Sequence, residues 1–255
     1  TSLDVLRNTM RNFYSPLKVC EPMLRFVFLT GITKFSQLSI FSELNNIRNV
    51  SMDEAYAGIC GITMEEMLTQ MSGDIDELAA KLKLGREETI AELKNNYDGY
   101  HFCWPSPDVL NPYSLLNCFA EGKMDSYWFG SGTPTYLIEI MRRFDVQPSQ
   151  LGHVRAMKAS FDVATERMTS LVPLLYQSGY LTIKGYDEAV GVYSLDIPNR
   201  EIRIGLFDSL LPGYLDSRVD SGRVVIADVS ACLKDRDIDG AMRLLRDFLQ
   251  TVPYC

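Results

Sequence analysis

The chain has 255 residues, 46% hydrophobic and 23% charged, which supplies a proper core and excludes a disordered chain. Its net charge of −8 argues against non-specific nucleic-acid binding by the chain as a whole. No run of eighteen apolar residues offers a membrane span, and no apolar stretch follows Thr1 as a signal peptide would require.

The first residues, 2–19, read as an amphipathic helix, with Leu3, Leu6, Met10, Phe13 and Leu17 recurring at three- and four-residue spacing. Pro22 breaks the chain. Phe26-Val27-Phe28-Leu29-Thr30-Gly31-Ile32 follows, apolar without alternation, and reads as a strand buried on both faces of a parallel sheet. Little else in the chain reads that way. The strand's neighbours are therefore expected outside these residues, and the segment is expected to expose apolar surface in the isolated chain. A short helix is expected from Leu38 to Ile47, and residues 54–62 read as a second, weaker strand.

Thr63-Met64-Glu65-Glu66 is a capping box opening a strongly helical block, with helices at about 64–71, 74–83 and 86–96. Tyr97-Asp98-Gly99-Tyr100-His101-Phe102 reads as a turn at a packed aromatic corner. Asn111-Pro112 and Thr133-Pro134 each place a capping side chain before a first-turn proline, and so open two more helices. A helix near 165–178 ends at Gly179. Three short strands follow, at Tyr180–Lys184, Val190–Leu195 and Glu201–Ile204, separated by turn signals at Gly185 to Asp187 and at Pro198-Asn199. Helices at 206–217 and 238–250 close the chain. A helix followed by a small meander is the outline of a winged helix. The fold class expected is an α/β fragment plus an α-helical lid and a winged-helix-like α+β segment, mostly helical overall.

No G-x-x-x-x-G-K-[ST] phosphate loop, G-x-S-x-G or H-E-x-x-H occurs, and the chain has two histidines, His101 and His153. The six cysteines include no C-x-x-C pair, so neither a zinc site nor disulfides are expected, and reduced cytoplasmic thiols are. The one chemically suggestive place is the polar end of the apolar strand, Thr30 and Lys34, because ligands of open α/β sheets sit at the carboxyl ends of strands. The simpler account is that Thr30 ends a strand, Thr33 or Ser36 caps a helix and Lys34 is solvated.

Residues 26–46 resemble a stretch characteristic of the predicted AAA-ATPase-like family of bacterial P-loop proteins. Tyr56 to Thr63, Tyr97 to Phe102 and Tyr127-Trp128-Phe129-Gly130-Ser131-Gly132-Thr133-Pro134-Thr135 match it in the same order. Such proteins often carry a nuclease-like domain of the PD-(D/E)XK type at their C-terminus. The resemblance implies that residues 1–62 are the C-terminal part of a P-loop NTPase core, 63–150 a helical lid, and 151–255 a winged-helix-like segment with closing helices. It implies that the intact protein binds ATP and Mg2+ and hydrolyses ATP, while this chain alone, lacking the phosphate loop, binds neither and is inactive. Thr30 would be a sensor beside the γ-phosphate and Lys34 an added charge there. Gly132 and Pro134 would lie near the adenine, and Arg142 would reach a phosphate. Each has a simpler account: Thr133 and Pro134 start a helix, and Arg142 and Arg143 stabilise its C-terminus. The partners implied are the N-terminal ATPase half and the nuclease-like domain. The helix at about Met168–Ser178 carries no lysine or arginine, so direct nucleic-acid binding is not expected of this chain. The alternative is a non-catalytic protein-interaction module.

Overall fold

The computed structural model describes residues 3–31, 47–130, 139–141, 144, 151–161, 170–214 and 219–249. Helix α1 (Leu3–Tyr14) and the single turn α2 (Pro16–Val19) replace the one continuous helix expected at the start. Pro16 has no N–H to give the preceding turn, so the helix breaks at Ser15 and resumes with proline at its first position.

The strand expected at residues 26–32 is not formed over its described part. Residues 26–31 are irregular and exposed, with Phe26 at 80% and Phe28 at 45% of full accessibility. Their rings stack on each other, centroids 6.4 Å apart. A strand is defined by its ladder, and no described residue pairs with this segment. Its apolar side chains nonetheless face solvent, as the sequence reading expected. The expected helix at 38–47 lies almost wholly outside the described residues.

A helical unit follows. The expected strand at 54–62 opens instead as a 3-10 turn (Glu54–Tyr56) and runs on through further turns to residue 61; the Asp53 carboxylate caps it, accepting from the Ala55 amide at 3.1 Å. Only Ile62 joins β1 (Ile62–Thr63), paired antiparallel with β2 (Val109–Leu110). The capping box forms as read. Thr63 Oγ1 accepts from the Glu66 amide at 3.2 Å, and the Glu66 carboxylate accepts from the Thr63 amide at 2.8 Å. Helices α3 (Met64–Gln70), α4 (Ser72–Leu82) and α5 (Arg86–Tyr97) then run in sequence. Asn111 caps α6 (Pro112–Glu121), its side chain accepting from the Tyr113 and Ser114 amides, and α7 (Tyr127–Gly130) follows. Met67, Ile75, Leu78, Leu93, Tyr97, Leu110 and Leu115 close one core.

The second unit is built on a three-stranded antiparallel sheet of order β3-β5-β4, with β3 (Val154–Met157), β4 (Thr182–Asp187) and β5 (Val192–Asp196). Strand β3 was not anticipated. Between β3 and β4 come α8 (Lys158–Phe161) and α9 (Val172–Gln177). Helix α9 ends as Gly179 predicts. Gly179 takes φ +81°, its amide donates to Tyr176 O, and the Tyr180 amide donates back to Leu175 O, a Schellman motif. The strand expected at Glu201–Ile204 is instead the first turn of α10 (Arg200–Tyr214). Asn199, read as a turn residue, is its cap, and accepts from the Ile202 amide at 3.1 Å. Phe161, Leu175, Leu181, Ile183, Leu195, Ile202 and Leu206 fill the second core.

Two helices end the described chain as a hairpin, α11 (Val219–Lys234), which the sequence reading leaves unassigned, and α12 (Ile238–Leu249). Among the described residues no helix is long and apolar enough to cross a membrane, and Cys20, Cys60, Cys103, Cys118 and Cys232 are free thiols.

Candidate functional site

Of the five residues expected to serve nucleotide chemistry, Thr30 alone is described, and it stands exposed on the irregular segment 26–31. Lys34, Gly132, Pro134 and Arg142 lie outside the described residues. The buried polar chemistry gathers elsewhere, at the corner Tyr97 to Phe102 where the two cores meet.

The corner begins where α5 ends. Tyr97 is fully buried, and its hydroxyl donates to the Asp125 carbonyl at 2.9 Å while accepting from the Asp125 amide at 3.1 Å. Asp98 leaves the helix and Gly99 turns the chain with φ +96°. That conformation favours glycine, and a Cβ there would also collide with the Pro198 carbonyl oxygen and crowd the Lys184 ammonium. Tyr100 then bridges Val109 through backbone bonds of 3.0 and 3.3 Å, returning the chain toward β2.

Asp98, Gly99, His101 and Phe102 of this turn are held from the second unit. Lys184 Nζ, on β4, donates to Gly99 O at 2.6 Å and to Pro198 O at 3.4 Å. Asn199 Nδ2 donates to Asp98 O at 3.0 Å. Thr182 Oγ1 accepts from the His101 amide at 2.7 Å and donates to His101 O at 3.1 Å. Tyr176 Oη donates to Phe102 O at 3.4 Å. A few paces away, Glu201 Oε1 accepts from the Trp128 amide at 2.8 Å, tying α10 to α7. The polar side chains of α9, β4 and the start of α10 thus satisfy backbone groups of the other unit.

The electrostatics are those of buried charge. Asp98 is 2% exposed, with both carboxylate oxygens buried. Burial pushes its carboxyl above the usual range, opposed by the Gly99 amide and reinforced by Asp108, while Lys94 and Lys184 pull it back. Burial likewise pushes Glu201 up, against the Trp128 amide and the Ser114 hydroxyl. It lowers Lys184, against the attraction of Asp108, Asp98 and Asp196. His101 Nδ1 lies 3.1 Å from Asp108 Oδ1, with its ring 5.2 Å from that of Trp104. Burial raises Cys103 and brings Cys118 up to about 11, so both are inert thiols. Among the described residues no three His, Cys, Asp or Glu side chains could hold a metal ion together. The sequence reading identified Asp98, Tyr100 and His101 as a structural corner. It missed Lys184, Asn199 and Glu201, which no local pattern links to that corner.

His153 lies on the surface. Its side chain is 94% exposed, with Nδ1 3.3 Å from Asp196 Oδ2.

Comparison with known proteins adds two findings. A family model described as a predicted AAA-ATPase matches residues 2–41. The chain is 32% identical over 255 residues to an "Uncharacterized protein in vnfD 5'region" of Azotobacter chroococcum mcd 1, an alignment covering 98% of this chain and 46% of that protein. The chain therefore spans about half the length of the curated relative it matches. No solved structure matches it.

Proposed function

We propose that this chain is the later part of an AAA-type ATPase, a segment that receives and transmits the motion of a nucleotide site rather than forming one. The observation that carries the reading is the coincidence of the ATPase family match, residues 2–41, with the exposed apolar run Phe26–Leu29. Four consecutive large side chains in water are a sheet strand without its sheet. In the proposed longer protein, strands of an ATPase core flank them and residues 1–62 complete that core.

On this reading the 255 residues contribute to a site for ATP and Mg2+ that further chain completes. The 255 residues contain no phosphate loop, and the described ones no ligand cluster for a cation. Their proposed part is secondary: Thr30 and Lys34 at the phosphate end of the segment, Gly132 and Pro134 toward the adenine, and Arg142 toward a phosphate. Residues 63–150 would be the lid and 151–255 the winged-helix-like part. The sheet order β3-β5-β4, with two short helices among the described residues between β3 and β4, supports that last assignment. Helix α9 would be its recognition helix. Residues 171–178 are all buried or half-buried, or carry an exposure short of full, and Tyr176 is bonded to the corner. A helix so covered offers no face to a groove, which supports a role in packing rather than base reading. A nuclease-like domain and the N-terminal ATPase half are the proposed partners, and the cytoplasm the proposed location.

Calorimetric titration of the protein expressed from the full reading frame, with ATP in the presence and absence of Mg2+, tests the reading. Magnesium-dependent binding is expected. Full-length protein that takes up no nucleotide overturns the proposal and leaves the exposed run as a docking surface of a non-catalytic interaction module.

A further inference from the structure

The terminal hairpin carries an apolar stripe that its own partner helix does not use. In α12, Ala241 is buried and Leu244 and Phe248 are half-buried, on the side of the helix that packs in the hairpin with α11. Ile238, Met242, Leu245 and Leu249 are exposed by 57%, 60%, 38% and 64%. At 100° per residue these four fall within about 60° of arc, a second apolar face beside the first. Their spacing of four, three and four residues is that of alternating d and a positions of a heptad, the pattern of a two-helix seam.

The pattern also says which helix fits. It reads the same from either end, so a twofold axis midway between Met242 and Leu245 sets Ile238 against the other copy's Leu249 and Met242 against its Leu245. The flanking charges obey the same axis. With Ile238 at d, the two e positions are Asp239 and Arg246. In an antiparallel pair e faces e, so the Asp239 of each helix lies close along the axis to the Arg246 of the other, giving two opposite-charge contacts. A parallel pair would set Asp239 beside Asp239 in height and lose both. In the free chain Arg246 Nη2 holds the adjacent Asp247 at 2.8 Å, with the two side chains 64% and 60% exposed, an ion pair weak enough to exchange. We infer that α12 is a self-association helix: two copies of this chain join through an antiparallel α12–α12 seam, an isologous contact of the twofold kind.

Sedimentation equilibrium of the 255-residue chain over a concentration series tests this. A monomer–dimer equilibrium is expected. Met242→Lys and Leu245→Lys, at exposed positions the monomer does not need, should each weaken dimerisation at least about tenfold while the far-ultraviolet circular dichroism stays unchanged. Asp239→Arg or Arg246→Asp alone should weaken it about 3- to 10-fold, and the two reversals together should restore it to within about twofold. A chain that remains monomeric throughout overturns the inference. So does a dimer indifferent to the lysine substitutions, which would place the contact elsewhere, for instance on Phe26–Leu29, and so does a double reversal that fails to restore association.

Discussion

Gly99 is the residue whose replacement the structure forbids most plainly. Its φ of +96° and its closeness to the Pro198 carbonyl oxygen and the Lys184 ammonium leave no room for a methyl group. Gly99→Ala should destabilise the chain by about 1–3 kcal/mol, read as a lowered thermal midpoint. Its neighbour Asp98 has the opposite character. A carboxyl whose folded pKa lies above its unfolded value contributes stability below the unfolded value and loses it as pH rises through the folded one, so a neutral amide relieves that cost. Asp98→Asn should therefore raise the thermal midpoint at neutral pH, with the gain disappearing as pH falls below the ordinary aspartate range. A gain that persists in acid would mean that packing, not charge, is responsible. Signals of one or a few residues were legible here. Asp98-Gly99 announced a turn, and Gly179 a helix end, because both rest on backbone geometry that the local sequence alone dictates. That Asp98 would be buried was not legible, since burial comes from α9, β4 and α10, some eighty to a hundred residues away.

At the scale of elements, two interlocked units are joined by side chains of one that satisfy the backbone of the other. Lys184→Met keeps the apolar stem on β4 but removes the donor to the Gly99 and Pro198 carbonyls. The loss should cost about 1–3 kcal/mol in urea unfolding, and it should loosen the corner before either core. Asn111→Ala, which strips the cap from α6, should cost about 1 kcal/mol, or about 2–4 °C in thermal midpoint. The capped helices were readable because Thr63 with Glu66 and Asn111 with Pro112 state a helix start within four residues. Other elements were not readable, for three distinct reasons. The segment Phe26–Gly31 has strand composition, but a strand exists only with a partner. Glu201 to Ile204 alternates like a strand, yet Asn199 supplies an N-cap and converts it to helix, the same side chain serving turn and cap equally well. In α11, the run Val224-Val225-Ile226 favours strand by propensity, and packing in the hairpin overrides it. Strand β3 was missed because four residues of mixed polarity acquire meaning only beside β5.

For the molecule as a whole, the described structure is mostly helical, with two small sheets and two cores that meet at a partly buried polar corner. Of the nucleotide residues expected from the sequence Thr30 alone is described, and the apolar run beside it lies open to water. The proposed ATPase reading accounts for that exposure: in the longer protein further chain would cover the run and complete the chemistry. On that account the isolated chain hydrolyses ATP no faster than buffer. In the full-length protein, Thr30→Ala should lower turnover about 10- to 100-fold with little change in nucleotide affinity, as expected when a group orients water rather than binds phosphate. The most direct measurement is a side-by-side calorimetric titration of ATP and Mg2+ into this chain and into the full-length protein. The account predicts heat of binding from the full-length protein alone. Saturable magnesium-dependent binding to the 255-residue chain, or none to either, would contradict it.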